Sequence, residues 1–325
     1  MRVTAILCTY NRCTSLARAL ESLAASALPQ SVEWEVLVVD NNSSDHTREV
    51  VEEYCRRNPD HFRYEFEPEQ GKSFALNTGI RKARGDILVF VDDDVTVEKA
   101  WLEELTAPLE SGEWAGTGGK ILPDRPPSLP PWLAFDGPLG MGARIVAHFD
   151  RGNEPYELDE APYGANMAFR KKMFEKYGFF RTDLGPRPGS EIRNEDIEFG
   201  RRVLAAGERL LYVPSAVVYH EVPEHRITRK YLLKRWFDDG RAEIRERKIK
   251  PKIWGIPRRY FRVANYILRF LPRKILHWLR ARDPKERFRF KCIVWQAAGE
   301  LVEMWHQPSA VKEGREAPGA HDALG

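Results

Sequence analysis

The sequence predicts an α/β fold in which a Rossmann-like, mainly parallel sheet is flanked by helices and followed by a C-terminal helical extension. Segments with strand and helix character alternate along residues 3–94, which is typical of βαβ units. The three long predicted strands, 3–9, 34–40 and 87–91, are each followed by polar residues. Because parallel strands end at the same edge of an open sheet, these polar groups should gather where ligands bind.

The predicted strands are short, apolar and rich in β-branched residues. They cover 3–9, 34–40, 62–67, 87–91, 210–213 and 216–219. The predicted helices repeat apolar residues at three- and four-residue spacing, as Leu16, Leu20 and Leu23 do in the first of them. They cover 14–26, 47–57, 72–83, 170–176 and 195–206, and helical character returns at 228. Gly85 should follow the third helix as a left-handed C′ residue, and the proline-rich stretch 123–138 should form a loop or lid.

Length and composition place the chain among soluble globular proteins. Its 325 residues are 42% apolar and 30% charged, which allows a large core without disulfides. The four cysteines, Cys8, Cys13, Cys55 and Cys292, show no metal-binding spacing and indicate reduced thiols in a cytosolic protein. The sequence begins without a signal-peptide core and has no window of 18 apolar residues, so we expect neither a leader nor a transmembrane helix.

Three consecutive carboxylates, Asp92, Asp93 and Asp94, follow the apolar run 87–91. Such neighbours repel one another unless a cation or several donors lie among them. Hard oxygen ligands suit Mg²⁺ or Mn²⁺, and these ions usually also hold substrate phosphates. The pattern therefore predicts a metal–diphosphate site. The alternative is a strand-to-helix turn in which Asp94 is a solvated N-cap.

Two further side chains could contact a nucleotide. Asp40 ends the second strand, where a carboxylate can accept from a ribose hydroxyl or a base N–H, and an Asx turn with Asn41 and Ser43 is the alternative. Lys72 could reach a phosphate, although an exposed lysine at a helix start is the simpler interpretation. The chain lacks both GxGxxG after its first strand and a GxxxxGK[ST] loop, which disfavours a nicotinamide cofactor and a P-loop.

A second acidic pair, Glu195 and Asp196, begins a predicted helix. It could supply a general base beside an acceptor hydroxyl, or simply stabilise the helix dipole. His220 ends a predicted strand, and its position makes it a candidate third metal ligand beside the Asp cluster. The alternative is a structural histidine.

Taken in order along residues 1–225, these motifs resemble the family 2 nucleotide-sugar glycosyltransferases. The resemblance rests on Thr9-Tyr10-Asn11-Arg12, Val39 to Asp45, Asn77 with Gly79, Phe90 to Asp94, Gly164 to Arg170, Glu195-Asp196 with Arg202, and Pro214 to His220. It implies a GT-A fold, a nucleotide-diphosphate sugar donor of UDP or GDP type, a divalent metal (Mn²⁺ or Mg²⁺) and inversion at the anomeric carbon.

The resemblance also implies a role for each matching residue. The residues assigned to the donor are Thr9, Asn11, Arg12, Asp40, Asn42, Lys72, Asn77, Asp92 and Asp93. Thr9 and Asn11 would line the base pocket, and Asp40 would contact the nucleoside. Asp92 and Asp93 would contact the ribose and the diphosphate. Asp94 would hold the metal, and His220 would be a metal ligand or a diphosphate contact. Asp196 would be the catalytic base, with Glu195 its neighbour. Asn166 and Arg202 would belong to the acceptor loop.

The chain lacks the Gln-x-x-Arg-Trp motif of processive members and has only Lys234-Arg235-Trp236 after the acidic pair. This difference favours addition of one sugar per encounter. It argues against polymer synthesis.

The C-terminal part is strongly basic. Residues 248–291 contain 15 Lys or Arg and two acids, whereas the whole chain has a net charge of +3. Arginines alternate with aromatic and aliphatic residues, and Pro272 should split the segment into two amphipathic helices. Such helices suit an anionic membrane surface. The alternatives are packing on the catalytic domain and, less favoured, contact with nucleic acid.

These expectations combine into one organisation: a GT-A catalytic domain over 1–225, a basic amphipathic helical extension over 226–306, and a disordered tail over 307–325. The acceptor would be a glycan or a lipid-linked sugar. The enzyme would be cytoplasmic and peripheral at the inner face of the cell membrane, without a nucleic-acid partner.

Two other functions compete with that of a glycosyltransferase. A sugar nucleotidyltransferase on a related sheet would need a Gly-rich basic loop after the first strand, where this chain has Thr9-Tyr10-Asn11-Arg12. A non-catalytic binding protein is disfavoured by the joint presence of Asp94, Asp196 and His220.

Overall fold

A computed structural model describes residues 1–26, 32–247, 252–253 and 256–306, and the side chains of these ranges apart from 252–261. It confirms the α/β class, with a sheet flanked by helices and a helical C-terminal region. The predicted disordered tail, 307–325, lies outside the described residues.

The four strands predicted over residues 3–91 are present, and the structure adds strands at 95–97, 116–123, 156–158, 166–170, 252–253 and 256–257 that were not predicted. In chain order, the strands are β1 (Arg2–Thr9), β2 (Glu33–Asp40), β3 (Phe62–Phe66), β4 (Ile87–Asp92), β5 (Val95–Val97), β6 (Gly116–Pro123), β7 (Tyr156–Leu158), β8 (Asn166–Arg170), β9 (Leu210–His220), β10 (Lys252–Ile253) and β11 (Ile256–Pro257).

The helices cover both faces of the sheet and then form a C-terminal group. They are α1 (Cys13–Ala24), α2 (Thr47–Arg57), α3 (Lys72–Lys82), α4 (Trp101–Thr106), α5 (Gly142–Val146), α6 (Lys171–Tyr177), α7 (Glu195–Ala205), α8 (Arg229–Glu246), α9 (Arg258–Asn265), α10 (Leu271–Arg280) and α11 (Pro284–His306).

The main sheet has the order β3-β2-β1-β4-β8-β6-β9-β5, and β7 pairs with β9. The strands β1 to β4 pair in parallel, as their buried apolar runs predict. The second half is mixed, because β8 runs antiparallel to both β4 and β6 while β6 and β9 are parallel.

The predicted strands 210–213 and 216–219 are one strand, β9. The register against β6 shifts between Gly119 and Lys120, so that Pro214 to Ala216 form a bulge rather than a break. Asn166 fills this bulge, since its Nδ2 donates to the carbonyls of Lys120 at 2.9 Å and Ala216 at 2.8 Å. The bulge lets the strand continue to His220.

Gly85 does not form a left-handed C′ residue, so that prediction is wrong. The helix α3 ends at Lys82, and Ala83 is already extended. A Cβ at Gly85 would lie 2.5 Å from the backbone nitrogen of Thr4, so the glycine permits a close approach to β1 instead.

A second core joins the proline-rich segment to the C-terminal helices. It contains Leu133 from the loop, Ile145 from α5, Trp236 from α8, and Phe288 and Cys292 from α11. The stretch 124–138 is a loop, as predicted, and this packing anchors it.

The helices α8 and α11 pack closely through two glycines. A Cβ at Gly240 would overlap the carbonyl oxygen of Gln296, and a Cβ at Gly299 would overlap that of Phe237. Only residues without side chains allow this approach, so the two glycines let the backbones of α8 and α11 touch.

The basic segment forms two helices as predicted, α9 and α10, and Pro272 lies in the first turn of α10, but no break separates the two helices. Residues 258–280 are helical throughout, with a π-turn at Tyr266–Phe270 just before the proline. Widening of the preceding turn accommodates the missing N–H, which is how a π-bulge relieves a helix. Among the described residues, no helix combines the length and the hydropathy that a membrane-spanning segment requires.

Candidate active site

The strands β1, β2 and β4 end at one edge of the sheet. Cys8 on β1 pairs with Asp92 on β4, and Thr9 pairs with Asp40 on β2. Asp93 and Asp94 follow directly and are buried. The predicted solvated N-cap at Asp94 is therefore wrong, because the residue leads into β5 rather than into a helix.

His220 reaches the same edge from the other half of the sheet. Val95, which follows Asp94, pairs with His220, and the N–H of Glu221 donates to the carbonyl of Asp94 at 2.9 Å. Nδ1 of His220 lies 2.9 Å from the carbonyl oxygen of Glu221. Because a carbonyl only accepts, Nδ1 carries a proton, and Nε2 is the ring nitrogen that faces Asp94.

Asp92, Asp94 and His220 form a candidate metal centre. Their ligand atoms lie within 4.8 Å of one another. The carboxylate oxygens suit Mg²⁺ or Mn²⁺, and the imidazole nitrogen favours a transition metal such as Mn²⁺. Three protein ligands leave coordination positions for phosphate oxygens. The prediction from the sequence included two of these ligands, Asp94 and His220. It assigned Asp92 to ribose and diphosphate instead.

Guanidinium groups lie among the carboxylates. Oδ2 of Asp94 accepts from Arg12 at 2.7 Å and from Arg226 at 3.1 Å, and Arg12 also donates to Oδ1 of Asp93 at 3.0 Å. These contacts provide the cations that three adjacent acids require.

The surroundings move the pKa values of these acids in different directions. Burial opposes ionisation of Asp94, yet His220, Arg226 and Arg12 hold the pKa of its carboxyl well below the usual range. Burial dominates at Asp93 and raises its pKa to about 6, despite the attraction of Arg12.

Lys72 connects the metal centre to the acidic pair. Its Nζ donates to Oδ1 of Asp92 at 2.5 Å and lies 4.0 Å from Oε1 of Glu195. Its side chain is only 25% exposed, so the interpretation as an exposed helix-start lysine is wrong. Both carboxylates raise the pKa of Lys72 against the opposing effect of burial, so it stays charged.

A first cavity of about 270 Å³ lies at the strand ends. Its lining includes seven predicted site residues: Thr9, Arg12, Lys72, Asp92, Asp93, Asp94 and His220. The loop 186–193 and Arg226 close its other side. Four predicted donor residues, Asn11, Asp40, Asn42 and Asn77, are not among those that line it.

Three of these four hold the loop after β2. Oδ1 of Asp40 accepts from the N–H of Ser43 at 2.9 Å, which is the Asx-type turn considered from the sequence, and Oδ2 accepts from Tyr64 at 3.0 Å. Asn11 and Asn42 have φ values of 50° and 64°, which asparagine tolerates better than most residues.

The remaining predicted polar residues make structural contacts. Asn77 exchanges two hydrogen bonds with the backbone of Phe180. Asn166 also accepts from Nε1 of Trp101 at 2.8 Å, in addition to filling the bulge. Arg202 donates to the carbonyls that follow α6, including Phe179 at 3.0 Å. None of the three is among the residues that line either cavity.

The acidic pair begins α7 and lines a second, smaller cavity of about 80 Å³. Asp196 is half-buried, with Oδ2 accepting from Gly164 N–H at 2.6 Å and Oδ1 from Ile197 N–H at 2.8 Å. Glu195 is buried, and its Oε2 has no hydrogen-bond partner among the described residues. Burial and the neighbouring Asp196 raise the pKa of Glu195 to about 7.

The two cavities are adjacent. Lys72, Asp92, Arg193, His220 and Arg226 line both of them. The candidate metal centre therefore lies at their boundary, with the strand-end residues on one side and the acidic pair on the other.

The sequence did not assign five arginines that line the two cavities: Arg144, Arg187, Arg193, Arg226 and Arg235. They come from α5, from loops and from α8, not from strand ends, so no local pattern marked them. The isolated Arg-Trp pair at Arg235 and Trp236 was the one available signal.

Comparisons with known proteins agree with this geometry. Residues 4–178 match the model of glycosyl transferase family 2. The chain is 30% identical over 246 residues to the succinoglycan biosynthesis protein ExoM of Rhizobium meliloti, covering 74% of this chain and 73% of the relative. It is 28% identical over 251 residues to a glucosyl-dolichyl phosphate glucuronosyltransferase of Haloferax volcanii, covering 74% and 75%.

Solved structures share the fold. The mannosyltransferase PcManGT of Pyrobaculum calidifontis, in complex with GDP-Man and Mn²⁺, superposes with a TM-score of 0.54 at 20% identity, covering 93% of this chain and 73% of that chain. GalNAc-T7 with UDP, GalNAc and Mn²⁺ gives a TM-score of 0.53 at 20% identity, covering 68% and 43%. The expected GT-A fold is thus confirmed.

Proposed function

Because the chain belongs to glycosyl transferase family 2, we propose that it is a metal-dependent, inverting glycosyltransferase that moves one sugar from a nucleotide-diphosphate donor of UDP or GDP type to an acceptor hydroxyl. The observation that carries this proposal is the position of Asp92, Asp94 and His220 at the boundary between two cavities. A leaving diphosphate would lie at this boundary, with the acceptor on the side of the acidic pair.

On the donor side, Arg12 and Arg226 supply positive charge. Both now contact Asp94, and both line the first cavity. When Mn²⁺ or Mg²⁺ is held by Asp92, Asp94 and His220, it supplies Lewis-acid neutralisation of the departing diphosphate. The two guanidinium groups are then free to hydrogen-bond phosphate oxygens, a geometry to which arginine is suited.

On the acceptor side, Asp196 is proposed as the base. Its two backbone N–H contacts orient the carboxylate, and its partial exposure leaves it accessible from the second cavity. It would take the proton of the acceptor hydroxyl as that oxygen attacks the anomeric carbon opposite the leaving diphosphate. One displacement with one base inverts the anomeric configuration.

We also propose that the enzyme is peripheral at the inner face of the cell membrane and takes a glycan or lipid-linked acceptor. Along residues 262–282, the most exposed apolar side chains are Leu268 (76%) and Leu279 (62%). Arg269 and Arg273 are also exposed there. Apolar tips among arginines suit insertion at an anionic lipid surface.

The proposed organisation keeps 1–225 as the catalytic unit and 226–306 as the basic extension, with 307–325 as a tail. Arg226 and Arg235 of the extension line the cavities, so the two parts would act together.

A donor screen tests the function. UDP- and GDP-sugars are added with Mn²⁺ or Mg²⁺ while the thermal midpoint of the full chain is followed, since a ligand at 100 times its Kd stabilises by about 2.7 kcal/mol. The donor that binds is then incubated with candidate lipid-linked and glycan acceptors, and the anomeric configuration of the product is read by NMR. Stabilisation by none of the metal–nucleotide pairs would contradict the proposed function, and a retained configuration would contradict inversion.

A further inference from the structure

The second cavity combines the acidic pair with a cluster of arginines. Arg144, Arg193 and Arg235 all line it. Arg144 and Arg235 are not among the residues that line the first cavity. Their positive charge is therefore placed on the acceptor side of the candidate metal centre.

These arginines have fewer acceptors than their donors require. Arg144 and Arg235 share one carboxylate, Asp239, at 3.0 Å and 3.2 Å. Arg193 pairs with Glu191 at 2.9 Å. Two buried donor atoms of this cluster, Nε of Arg193 and Nη1 of Arg235, have no hydrogen-bond partner among the described residues. Nε of Arg235 contacts Asp239 as an ion pair without hydrogen-bond geometry.

Such an arrangement is costly without a ligand, because a buried charged donor that lacks an acceptor loses its hydration without compensation. Burial and the nearby Arg193 and Arg144 lower the pKa of Arg235. Packing holds the cluster in place, since the guanidinium of Arg144 lies 3.8 Å from the ring centroid of Trp236 in the second core.

We propose that Arg144, Arg193 and Arg235 form a subsite for a phosphate group carried by the acceptor. This inference rests on the proposed function and names the acceptor's chemical class. Phosphate offers at least three acceptor oxygens to the guanidinium donors of the cluster and up to two negative charges, whereas a carboxylate offers two oxygens and one charge. The phosphate would anchor the acceptor while its hydroxyl reaches Asp196 in the same cavity.

The chemistry fits both a lipid phosphate and a sugar phosphate, so the test uses both. Farnesyl phosphate and glucose 1-phosphate are titrated into the full chain by calorimetry, with the first cavity filled by Mn²⁺ and the nucleoside diphosphate that the donor screen identifies. Farnesol, glucose and glucuronic acid serve as probes without phosphate. At least one phosphate probe should bind about 10- to 100-fold more tightly than its neutral counterpart.

Two variants locate the binding. Arg235→Gln and Arg144→Gln should each lower the affinity for the phosphate probe about 10- to 100-fold. The affinity for metal and nucleoside diphosphate should stay unchanged. Arg235→Lys should recover part of the loss. The exposed Arg282→Gln is the control for general attraction to a basic surface. Thermal midpoints show whether each variant is folded. Each Gln variant tests the subsite separately, so one result remains if the other variant does not fold.

Equal phosphate binding by wild type and both Gln variants would overturn the subsite, as would tighter binding of glucuronic acid. Competition between the phosphate probe and the nucleoside diphosphate would place the phosphate in the first cavity and would also overturn it. Failure of the nucleoside diphosphate to bind contradicts the proposed function instead. In that case the phosphate titration of wild type against Arg235→Gln, without nucleotide, still decides the subsite.

Discussion

Nε2 of His220 lies 3.4 Å from Oδ1 of Asp94, although 126 residues separate the two along the chain. This contact predicts that Asp94→Asn and His220→Ala each weaken metal-dependent nucleotide binding by about tenfold or more, because diphosphate and carboxylates repel without a cation between them. Calorimetry with UDP and GDP, with and without Mn²⁺, measures the effect. The exposed Asp60→Asn should behave as wild type. Unchanged metal dependence in both site variants would exclude the assigned ligands.

Substitutions at Asp196 and Glu195 should affect donor binding and sugar transfer differently. Asp196→Asn removes the proposed base and should lower turnover about 10²- to 10⁴-fold while donor affinity stays within a few-fold. Glu195→Gln removes a neighbour of Lys72, so it should change donor affinity as well as turnover. Single-turnover kinetics and donor titration of both variants make the comparison. If Glu195→Gln alone loses turnover and Asp196→Asn keeps it, the roles are reversed.

Stability should depend on pH through Glu195. Its pKa in the folded chain is about 7, against an ordinary 4.5. The folded state therefore binds this proton more tightly than the unfolded state, and the unfolding free energy falls as pH rises between these two values. Glu195→Gln has no such loss. The difference in unfolding free energy, variant minus wild type, should therefore be more favourable to the variant above pH 7 than below pH 4.5, by at most about 3 kcal/mol. Urea denaturation at both pH extremes measures it, with the exposed Glu110→Gln as control. Parallel pH profiles of wild type and Glu195→Gln would contradict the prediction.

The glycine contact between α8 and α11 should be sensitive to one methyl group. Gly299→Ala would force its Cβ into the carbonyl of Phe237, which separates the helices and should cost about 1–3 kcal/mol or more. Denaturant unfolding of the full chain gives the value. Val302→Ala, at an exposed position of α11, should lie within about 0.5 kcal/mol of wild type. A neutral Gly299→Ala would mean that the two helices can move apart freely.

Membrane binding should have an apolar and an electrostatic part. Leu268→Ser with Leu279→Ser should weaken co-sedimentation with phosphatidylglycerol vesicles at every salt concentration, because the exposed tips no longer insert. Arg269→Gln with Arg273→Gln should weaken it mainly at low salt, by about 1 kcal/mol per charge. Leu129→Ser, an exposed apolar residue outside the segment, is the control. Equal sedimentation of all variants would assign the segment to packing alone.

Local sequence patterns were sufficient to predict the parallel strands near the N-terminus. The runs that became β1, β2 and β4 are apolar and β-branched, and such segments are buried in parallel sheets whatever their neighbours are. The polar residues that follow them had to meet at one edge because parallel strands share a direction. The position of the triple Asp at this edge was predictable for this reason.

Longer-range features were not predictable in this way. The bulge that keeps β9 continuous depends on Asn166, a residue of another strand. The π-turn before Pro272 replaces a break that the proline alone would indicate. In both cases the surrounding structure satisfies backbone groups that the local sequence leaves open.

The sequence by itself determined the α/β class, the resemblance to a glycosyltransferase family and the carboxylates at the strand ends, because each depends on residue type and short spacing. Only the tertiary structure decided which positively charged side chain contacts each carboxylate. Asp94 contacts Arg12 and Arg226, and Asp92 contacts Lys72, across long stretches of chain. Among the arginines of the second cavity, only Arg235 was marked by a sequence pattern, its pairing with Trp236. Charged side chains act through distance in space, and chain spacing does not encode that distance until the helices and strands have packed.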